Sequence, residues 1–426
     1  MHVYPDYALY TYIASAALFI LSLQWMSQVS TSRRGNWAGA LGMVMAVIAT
    51  LMATHAKEYE LIAGAIIVGT IIGAPMALKM HMTAVPQRTA LSHAFGSLSA
   101  ALVGTAEYLQ WSPHISGFTM AVLAGEMILG YLTFTGSLIA FGKLQEILPG
   151  KPLLYRGRNL VSFSLVGAAI VLAVMVVIDP SQQNLLFAMC AVALVFGTLL
   201  VTGIGGADMP TLIAILNSYA GLSAAGLGFV LNNKLLIVAG ALDGSSGLIL
   251  AVMMCRAMNR SFVNVLFGGL GGQQGEVMDA DEVYAGKIKQ TSADEVAMLL
   301  NSAGRVVFVP GYGMAVAQAQ HAVRDLTNIL MDRSVEVEFG IHPVAGRMPG
   351  HMNVLLAEAD VSYELLKEMD EINPTLAQAD VVVIIGANDV VNPLARTDPT
   401  SPIAGMPIIE ADRARTVVVI KRSLSP

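Results

Sequence analysis

The chain has 426 residues, of which 55% are hydrophobic and only 13% are charged. Its mean hydropathy is +0.63. These values exclude an ordinary water-soluble globular protein, since such proteins carry about 25% charged residues. The formal net charge of −6 argues against a nucleic-acid-binding protein.

Nine apolar stretches are long enough to cross a bilayer, because a helical span needs about 20 residues. They cover residues 7–26, 37–54, 60–79, 89–109, 117–141, 160–178, 184–203, 210–231 and 235–255. The first stretch has neither a basic leader nor a small-residue cleavage site, so we expect a retained helix. The sequence therefore predicts a polytopic α-helical membrane bundle of nine spans over residues 1–262.

Basic residues are distributed unevenly between the predicted spans. One set of alternate connections carries only Lys57 and Lys234. The other set carries Arg33, Arg34, Lys79, Arg88, Lys143, Lys151, Arg156, Arg158, Arg256 and Arg260. Because positive residues collect on the cytoplasmic side of a membrane, we predict that the N-terminus lies outside and the C-terminal part lies in the cytoplasm.

Two spans share one pattern of residues at identical spacing. The matching positions are Pro86 and Pro210, His93 and Asn217, and Gly104 and Gly228. A His inside an apolar span is costly and usually marks a path for protons, ions or substrates. We interpret His93 as a proton site, because His ionises near neutral pH, with Asn217 and Ser218 as partners that orient it or a water chain. The alternative is a packing His that bonds to a neighbouring helix carbonyl.

Among the carboxyl groups within or beside the spans, three need an explanation. Asp208 precedes the eighth span, and Glu126 and Asp243 lie in the middle of theirs. Either mid-span group could be hydrogen-bonded to a neighbour or could line a water-filled path, and the sequence leaves both open. The many small residues of the spans indicate close helix packing. Cys190 and Cys255 have the spacing of neither a metal site nor a disulfide.

Residues 263–290 combine glycines with acidic side chains and indicate a flexible linker. Ser292 and Glu295 then predict the start of a short helix. Strands are predicted at 305–309, 335–341, 381–385 and 416–420, with helices at 317–331 and 353–359. This alternation predicts a doubly wound, Rossmann-like α/β domain with a parallel sheet over residues 291–426.

A glycine turn follows the first predicted strand. It consists of Gly311, Tyr312, Gly313, Met314, Ala315 and Val316. Glycines at such a turn permit close approach of a pyrophosphate to the following helix, and a purely structural tight turn is the alternative. The third position is Val316 rather than Gly or Ala. Glu336 and Glu338 lie inside the second strand rather than at its end, so recognition of NAD is not supported.

Three other loops favour the phosphorylated cofactor NADP(H). The loop from Gly340 to His351 gathers glycines, prolines and Arg347 ahead of a helix. Asp389 follows a strand and should lie at the carboxyl edge of the sheet, although it could equally be a helix N-cap. Lys421 and Arg422 could clamp a 2′-phosphate or form a solvated chain end. The predicted cofactor residues of these loops are Arg347, Met348, Pro349, Gly350, Gly386, Ala387, Asn388, Asp389, Lys421, Arg422 and Ser423.

Several long motifs resemble the beta subunit of proton-translocating nicotinamide nucleotide transhydrogenase. They lie at residues 207–210, 216–219, 257–261, 310–320, 340–359, 386–393 and 401–407. The resemblance covers nearly the whole chain and implies an NADP(H)-binding soluble domain. In that family the cofactor lies in an orientation reversed from the usual one, which would give the glycine turn a role other than its standard one.

The resemblance also assigns roles to individual residues. It implies that Arg347, Asp389, Lys421, Arg422 and Ser423 bind the cofactor. It matches His93 and Asn217 to proton-path residues, and Asp208 to a carboxylate near the cytoplasmic mouth of that path. The family continues beyond its Lys-Arg-Ser motif into a Gly-Tyr-Ala-Gly segment that folds over the cofactor. This sequence ends at Pro426, so we expect it to lack that lid.

The implied function is a subunit of a redox-driven proton pump, in which hydride passes between NADH and NADP⁺ while protons cross the membrane. Because the chain has one nucleotide domain, it would need a separate NAD(H)-binding alpha subunit. The resemblance further implies an inner (plasma) membrane location and a homodimer of the whole assembly, and from the cysteine spacing and the net charge we expect neither a metal nor nucleic acid. The alternative is a nucleotide-gated channel or transporter with a cytoplasmic NADP(H)-sensing domain. No Thr-Val-Gly-Tyr-Gly type filter loop lies between the predicted spans, but the repeated helix pattern does not exclude a transporter.

Overall fold

The computed structural model describes residues 5–53, 58–150, 152–153, 155–205, 208–266, 289–399, 401 and 403–421. The chain divides into two compact units. The first, called the membrane unit below, comprises Met1–Met80, Gln87–Gly203 and Ile213–Leu250. The second, called the sheet unit, comprises His81–Pro86, Ile204–Leu212 and Ala251–Pro426.

Long helices dominate the first 257 residues. Those described are α1 (Asp6–Met26), α2 (Ser32–Ala53), α3 (Tyr59–Lys79), α4 (Val85–Trp111), α5 (Gly117–Leu144), α6 (Arg158–Ile178), α7 (Gln183–Thr202), α8 (Met209–Val230) and α9 (Lys234–Ala257). Each begins and ends within a few residues of a predicted span. The predicted polytopic helical fold is therefore confirmed.

The number of apolar spans differs from the prediction. Over the described ranges, eight helices are long and apolar enough to cross a membrane. The one that does not qualify is α4, which has 27 residues but contains Arg88, His93 and Glu107 among further polar side chains. These groups lower the hydropathy of α4 without shortening it.

The membrane unit packs through small residues. Tyr108, Leu123 and Leu186 are fully buried in a core between α4, α5 and α7. Between α8 and α9 the backbones themselves touch. A Cβ added at Gly221 would lie 2.2 Å from the backbone N of Gly244. Such close approach is what small residues allow in membrane helices.

The sheet unit contains a parallel sheet of five strands in the order β3-β2-β1-β4-β5. The strands are β1 (Arg305–Pro310), β2 (Glu336–Ile341), β3 (Leu366–Glu368), β4 (Val381–Ile385) and β5 (Thr416–Ile420). Four of them match the predicted strands. The short edge strand β3 was missed, because its sequence Leu-Lys-Glu has no buried apolar run.

Hydrophobic cores cover both faces of this sheet. Val306 and Phe308 of β1 point into one core, and Val307 and Val309 point into the other. Continuous apolar strands of this kind are typical of parallel sheets that are buried on both sides. The Rossmann-like α/β class is therefore confirmed.

The described helices of this region are α10 (Ala293–Asn301), α11 (Tyr312–Val316), α12 (Gln320–Asp332) and α13 (His351–Glu358), with short segments at Phe262–Leu266, Met369–Ile372 and Leu394–Thr397. Ser292 Oγ accepts a hydrogen bond from Glu295 N at 3.3 Å, which confirms the predicted helix start. The helix predicted at 317–331 begins later, because Gln318 has a positive φ of 50° between α11 and α12.

Candidate functional site

A cavity of about 310 Å³ lies at the carboxyl ends of β1 and β4. These two central strands are neighbours, but the chain continues from β1 to β2 towards one edge of the sheet and from β4 to β5 towards the other edge. Ligands of open α/β sheets bind at such a switch point. Several predicted cofactor residues line the cavity: Gly311, Tyr312, Gly313, Gly386, Ala387, Asn388 and Asp389.

The glycine turn packs directly against the loop that follows β4. Gly311 N donates to Ile385 O at 2.8 Å, and Gly313 N donates to Gly386 O at 2.9 Å. A Cβ at Gly311 would lie 2.4 Å from the Cα of Ala387. These two N–H groups are therefore used inside the domain rather than offered to a pyrophosphate. The structural-turn alternative accounts for both glycines, and a cofactor contact by this turn stays a prediction.

Other predicted cofactor residues lie away from the cavity wall. The side chains of Met314 and Ala315 are buried in the core, each 1% exposed, and Val316 is 58% exposed. Met348 and Pro349 are half-buried in the loop before α13. Gly350 has a positive φ of 66° at the start of α13, a conformation that favours glycine because it has no Cβ. None of these side chains is part of the described cavity wall.

Arg347 belongs to a cluster beside the cavity. Its guanidinium carbon lies 4.2 Å from the centre of the Tyr312 ring, a cation–π geometry. Arg347 N donates to His351 Nδ1 at 3.0 Å. Burial, with a smaller contribution from the Arg347 charge, lowers the pKa of His351 to about 4. The His351 ring is therefore neutral at pH 7 and can accept this hydrogen bond.

His342 fixes the other end of the same loop. Its Nε2 lies 2.8 Å from Pro407 O, and its Nδ1 accepts from Val344 N at 3.2 Å. Burial lowers the pKa of His342, and the contact with Pro407 opposes that shift. Val344 lines the cavity. The two histidines therefore hold the cavity wall between residues 342 and 351 in place.

The ends of β4 and β5 bring together three predicted cofactor residues. Lys421 Nζ donates to Asn388 Oδ1 at 2.7 Å, and Asn388 Nδ2 donates to Asp389 Oδ1 at 3.0 Å. Burial lowers the pKa of Lys421, and the carboxylate of Asp389 opposes this. Asp389 does not act as a helix N-cap here, since Asn388 holds that position in the turn Asp389–Val391. Arg422 and Ser423 lie outside the described residues.

The chemistry of this edge fits a phosphorylated dinucleotide. Arg347 and Lys421 supply positive charge for phosphate groups, and Asn388 and Asp389 supply donors and acceptors for hydroxyl or amide groups. Over the described ranges, no three His, Cys, Asp or Glu side chains lie close enough to hold a metal ion.

Asp208 and Arg260 form a pair that the sequence did not predict. Arg260 Nη1 lies 3.4 Å from Asp208 Oδ2, and Arg260 also lines the cavity. Burial raises the pKa of Asp208, and the charge of Arg260 opposes that shift. In the sequence, Arg260 counted only among the basic residues that flank the predicted spans. Its place in the 257–261 motif was the signal that could have indicated a role at the site.

The membrane unit places Asn217 against α9. Asn217 Nδ2 donates to Asp243 O at 3.2 Å, and Ser218 is buried beside it. His93 is half-buried on α4. Among the described residues His93 has no hydrogen-bond partner, so neither the alternative of a helix carbonyl partner nor a direct bond to Asn217 is observed. The proton-path roles of His93, Asn217 and Ser218 stay predictions.

Glu126 contacts both helices that carry the repeated pattern. Ser223 Oγ of α8 donates to Glu126 Oε1 at 3.2 Å. A Cβ at Gly104 of α4 would lie 2.1 Å from Glu126 Oε2. The side chain is 2% exposed, and Oε2 has no hydrogen-bond partner in the described part of the chain. The carboxyl that the sequence left unassigned is therefore buried between α4 and α8.

Comparison with known proteins identifies the family. Residues 8–426 match the family model of the NAD(P) transhydrogenase beta subunit. Two proteins named NAD(P) transhydrogenase subunit beta, from Rhodospirillum rubrum and from a designated strain of that species, are each 45% identical to the chain over 421 residues. The matches cover 97% of this chain and 90% of each relative. The chain therefore belongs to the NAD(P) transhydrogenase beta subunit family.

Proposed function

We propose that the chain is the NADP(H)-binding, membrane-spanning subunit of a proton-translocating transhydrogenase. Hydride passes between NADH and NADP⁺ while protons cross the membrane. The observation that carries this proposal is the cavity at the carboxyl ends of β1 and β4, with Arg347, Asp389 and Lys421 at or beside its wall, in a chain of this family.

NADP(H), when bound, supplies the carbon that gives or accepts the hydride. The residues of this chain bind and orient it, since hydride transfer needs no protein acid or base. Arg347 and Lys421 would hold phosphate groups together with Arg422 and Ser423. Asn388 and Asp389 would bind polar groups of the cofactor.

Partners and location follow from this proposal. The described residues of the sheet unit form one parallel α/β sheet, that is one nucleotide domain, so a separate NAD(H)-binding alpha subunit must bring the second nicotinamide next to the first. The complete assembly is a homodimer in the inner (plasma) membrane. The nucleotide domain lies in the cytoplasm and the N-terminus lies outside, as the distribution of basic residues indicates.

Protons use His93, Asn217 and Ser218 within the spans and Asp208 at the cytoplasmic end. Coupling requires that the protonation state of this path changes how NADP(H) is held, and by reciprocity NADP(H) must change proton affinity along the path. Arg260 supports such coupling, because it pairs with Asp208 and lines the cavity.

The test uses the full chain with its alpha subunit in inverted membrane vesicles. Hydride transfer from NADPH to the 3-acetylpyridine analogue of NAD⁺ is measured together with proton uptake by a pH-sensitive dye. We expect both activities, and we expect Asp389→Asn to reduce both. Nucleotide-dependent ion flux without any hydride transfer would refute the proposal and favour the gated channel or transporter.

A further inference from the structure

The span α9 carries a carboxyl group far from any charge on its own helix. Asp243 shares α9 with Lys234 and Arg256, which lie about 13 Å and about 20 Å along the axis at 1.5 Å per residue. The adjacent α8 contains no Asp, Glu, Lys, Arg or His. In the part of the chain that the structure describes, Asp243 forms no salt bridge.

Polar groups surround Asp243 in place of a counter-ion. Asn217 Nδ2 and Ser246 Oγ both donate to the backbone carbonyl of Asp243, at 3.2 Å and 3.0 Å. Asp243 and Ser246 lie on an exposed side of α9 in the single chain. An amide therefore lies next to Asp243, on a side of α9 that the described residues of this chain leave exposed.

Glycines fix this arrangement. A Cβ at Gly247 would lie 2.7 Å from Asn217 Nδ2 and 2.7 Å from Ser218 N. A Cβ at Gly244 would lie 3.2 Å from Ser218 O. Because α9 approaches α8 this closely at the level of Asn217, the amide has little freedom to turn away from Asp243.

We propose that Asp243 is a second protonatable residue of the proton path, adjacent to Asn217. Its carboxylate oxygen accepts a proton from water or from the path, forming an O–H bond, and later returns that proton to water or to the next group. Ionisable residues inside membrane spans mark such relays. An amide is a suitable neighbour, because its NH₂ donates to the ionised carboxylate and its oxygen accepts from the protonated form. The inference rests on the proposed function of proton translocation.

The first experiment compares variants of the full chain, reconstituted with the alpha subunit in liposomes. Asp243→Asn removes the titratable group at nearly constant volume, and Asp243→Glu restores it. Ser245→Ala is the matched control, because Ser245 lies on the same helix and donates only to Leu242 O in the described structure. We expect loss of proton uptake in Asp243→Asn, recovery in Asp243→Glu, and unchanged uptake in Ser245→Ala.

The second measurement does not depend on activity. Infrared difference spectra between alkaline and acidic buffer should contain the C=O band of a protonated carboxyl that is absent from Asp243→Asn and present in Ser245→Ala. Identical spectra and identical proton uptake in wild type and Asp243→Asn would overturn the inference. If wild type transports no protons but the Asp243 band is present, the proposed function fails while the assignment of Asp243 as a protonatable group stands. If Asp243→Asn does not fold, the spectrum of Asp243→Glu is compared with that of the wild type instead. A titrating carboxyl band at a shifted frequency supports the inference, and an unchanged spectrum contradicts it.

Discussion

His351 should make the stability of the sheet unit depend on pH in one direction. The substitution His351→Asn keeps a side-chain acceptor near the position of Nδ1 for Arg347 N but removes the titration. Burial holds the folded-state pKa of His351 at about 4, whereas an unfolded chain has a His pKa of about 6.5. The unfolded state therefore binds the proton first as the pH falls, and acid destabilises the native wild type.

The size of this effect follows from the two pKa values. Each pH unit between them corresponds to about 1.4 kcal/mol, so the wild type should lose about 3 kcal/mol relative to His351→Asn between pH 6.5 and pH 4. Above pH 6.5 the difference between the two proteins should be constant. Below pH 4 it should be constant again.

The assay is chemical unfolding of the full chain in detergent at several pH values, with the wild-type minus variant difference plotted against pH. Subtraction removes the titration of carboxylates that both proteins share. His321→Asn is the control, because His321 is exposed on α12. A difference curve that stays flat from pH 7 to pH 4, or that rises on acidification, would refute the reasoning.

Three further predictions concern close contacts and cofactor binding. Gly104→Ala should lower the free energy of unfolding of the protein in detergent by about 1–3 kcal/mol, because its Cβ would lie 2.1 Å from a carboxyl oxygen of α5. The control is Gly96→Ala on the same helix, whose Cβ would meet nothing within 4 Å and which should have little effect. Gly311→Ala should destabilise the sheet unit by a similar amount, which hydrogen exchange of β1 and β4 would measure. Equal protection of these strands in the wild type and the variant would contradict the contact with the β4 loop. Arg347→Ala should weaken NADPH binding, measured by calorimetry, by roughly 10- to 100-fold, because a lost charged hydrogen bond costs about 1.5–3 kcal/mol. The control is Arg333→Ala at the exposed end of α12, which should leave NADPH binding unchanged.

The sequence predicted what depends on local periodicity. The nine long helices described and four strands lie where apolar runs predicted them, because the periodicity of apolar residues in one element is a property of neighbouring positions. The edge strand β3 has three residues and pairs only with β2, so no local signal was present. The helix α4 lies where the apolar run 89–109 predicted it, although Arg88 and His93 lower its hydropathy.

The partners of the site residues could not be predicted in this way. Gly311 and Gly313 have the spacing of a phosphate-binding turn, but their N–H groups are taken by Ile385 and Gly386. The pairing of Asp208 with Arg260 joins residues on either side of two whole spans. Such contacts are fixed by tertiary structure, so a motif can indicate that a residue matters without showing what it touches.

The glycine contacts of α8 with α9 limit how these helices can move. Gly221 meets the backbone of Gly244, and Gly240 meets that of Ala225, with no side chain between them to absorb a displacement. Sliding one helix along the other would force backbone atoms into each other within a fraction of a turn. We therefore expect the pair to shift or tilt as one unit, so Asn217 stays beside Asp243 as long as this packing persists.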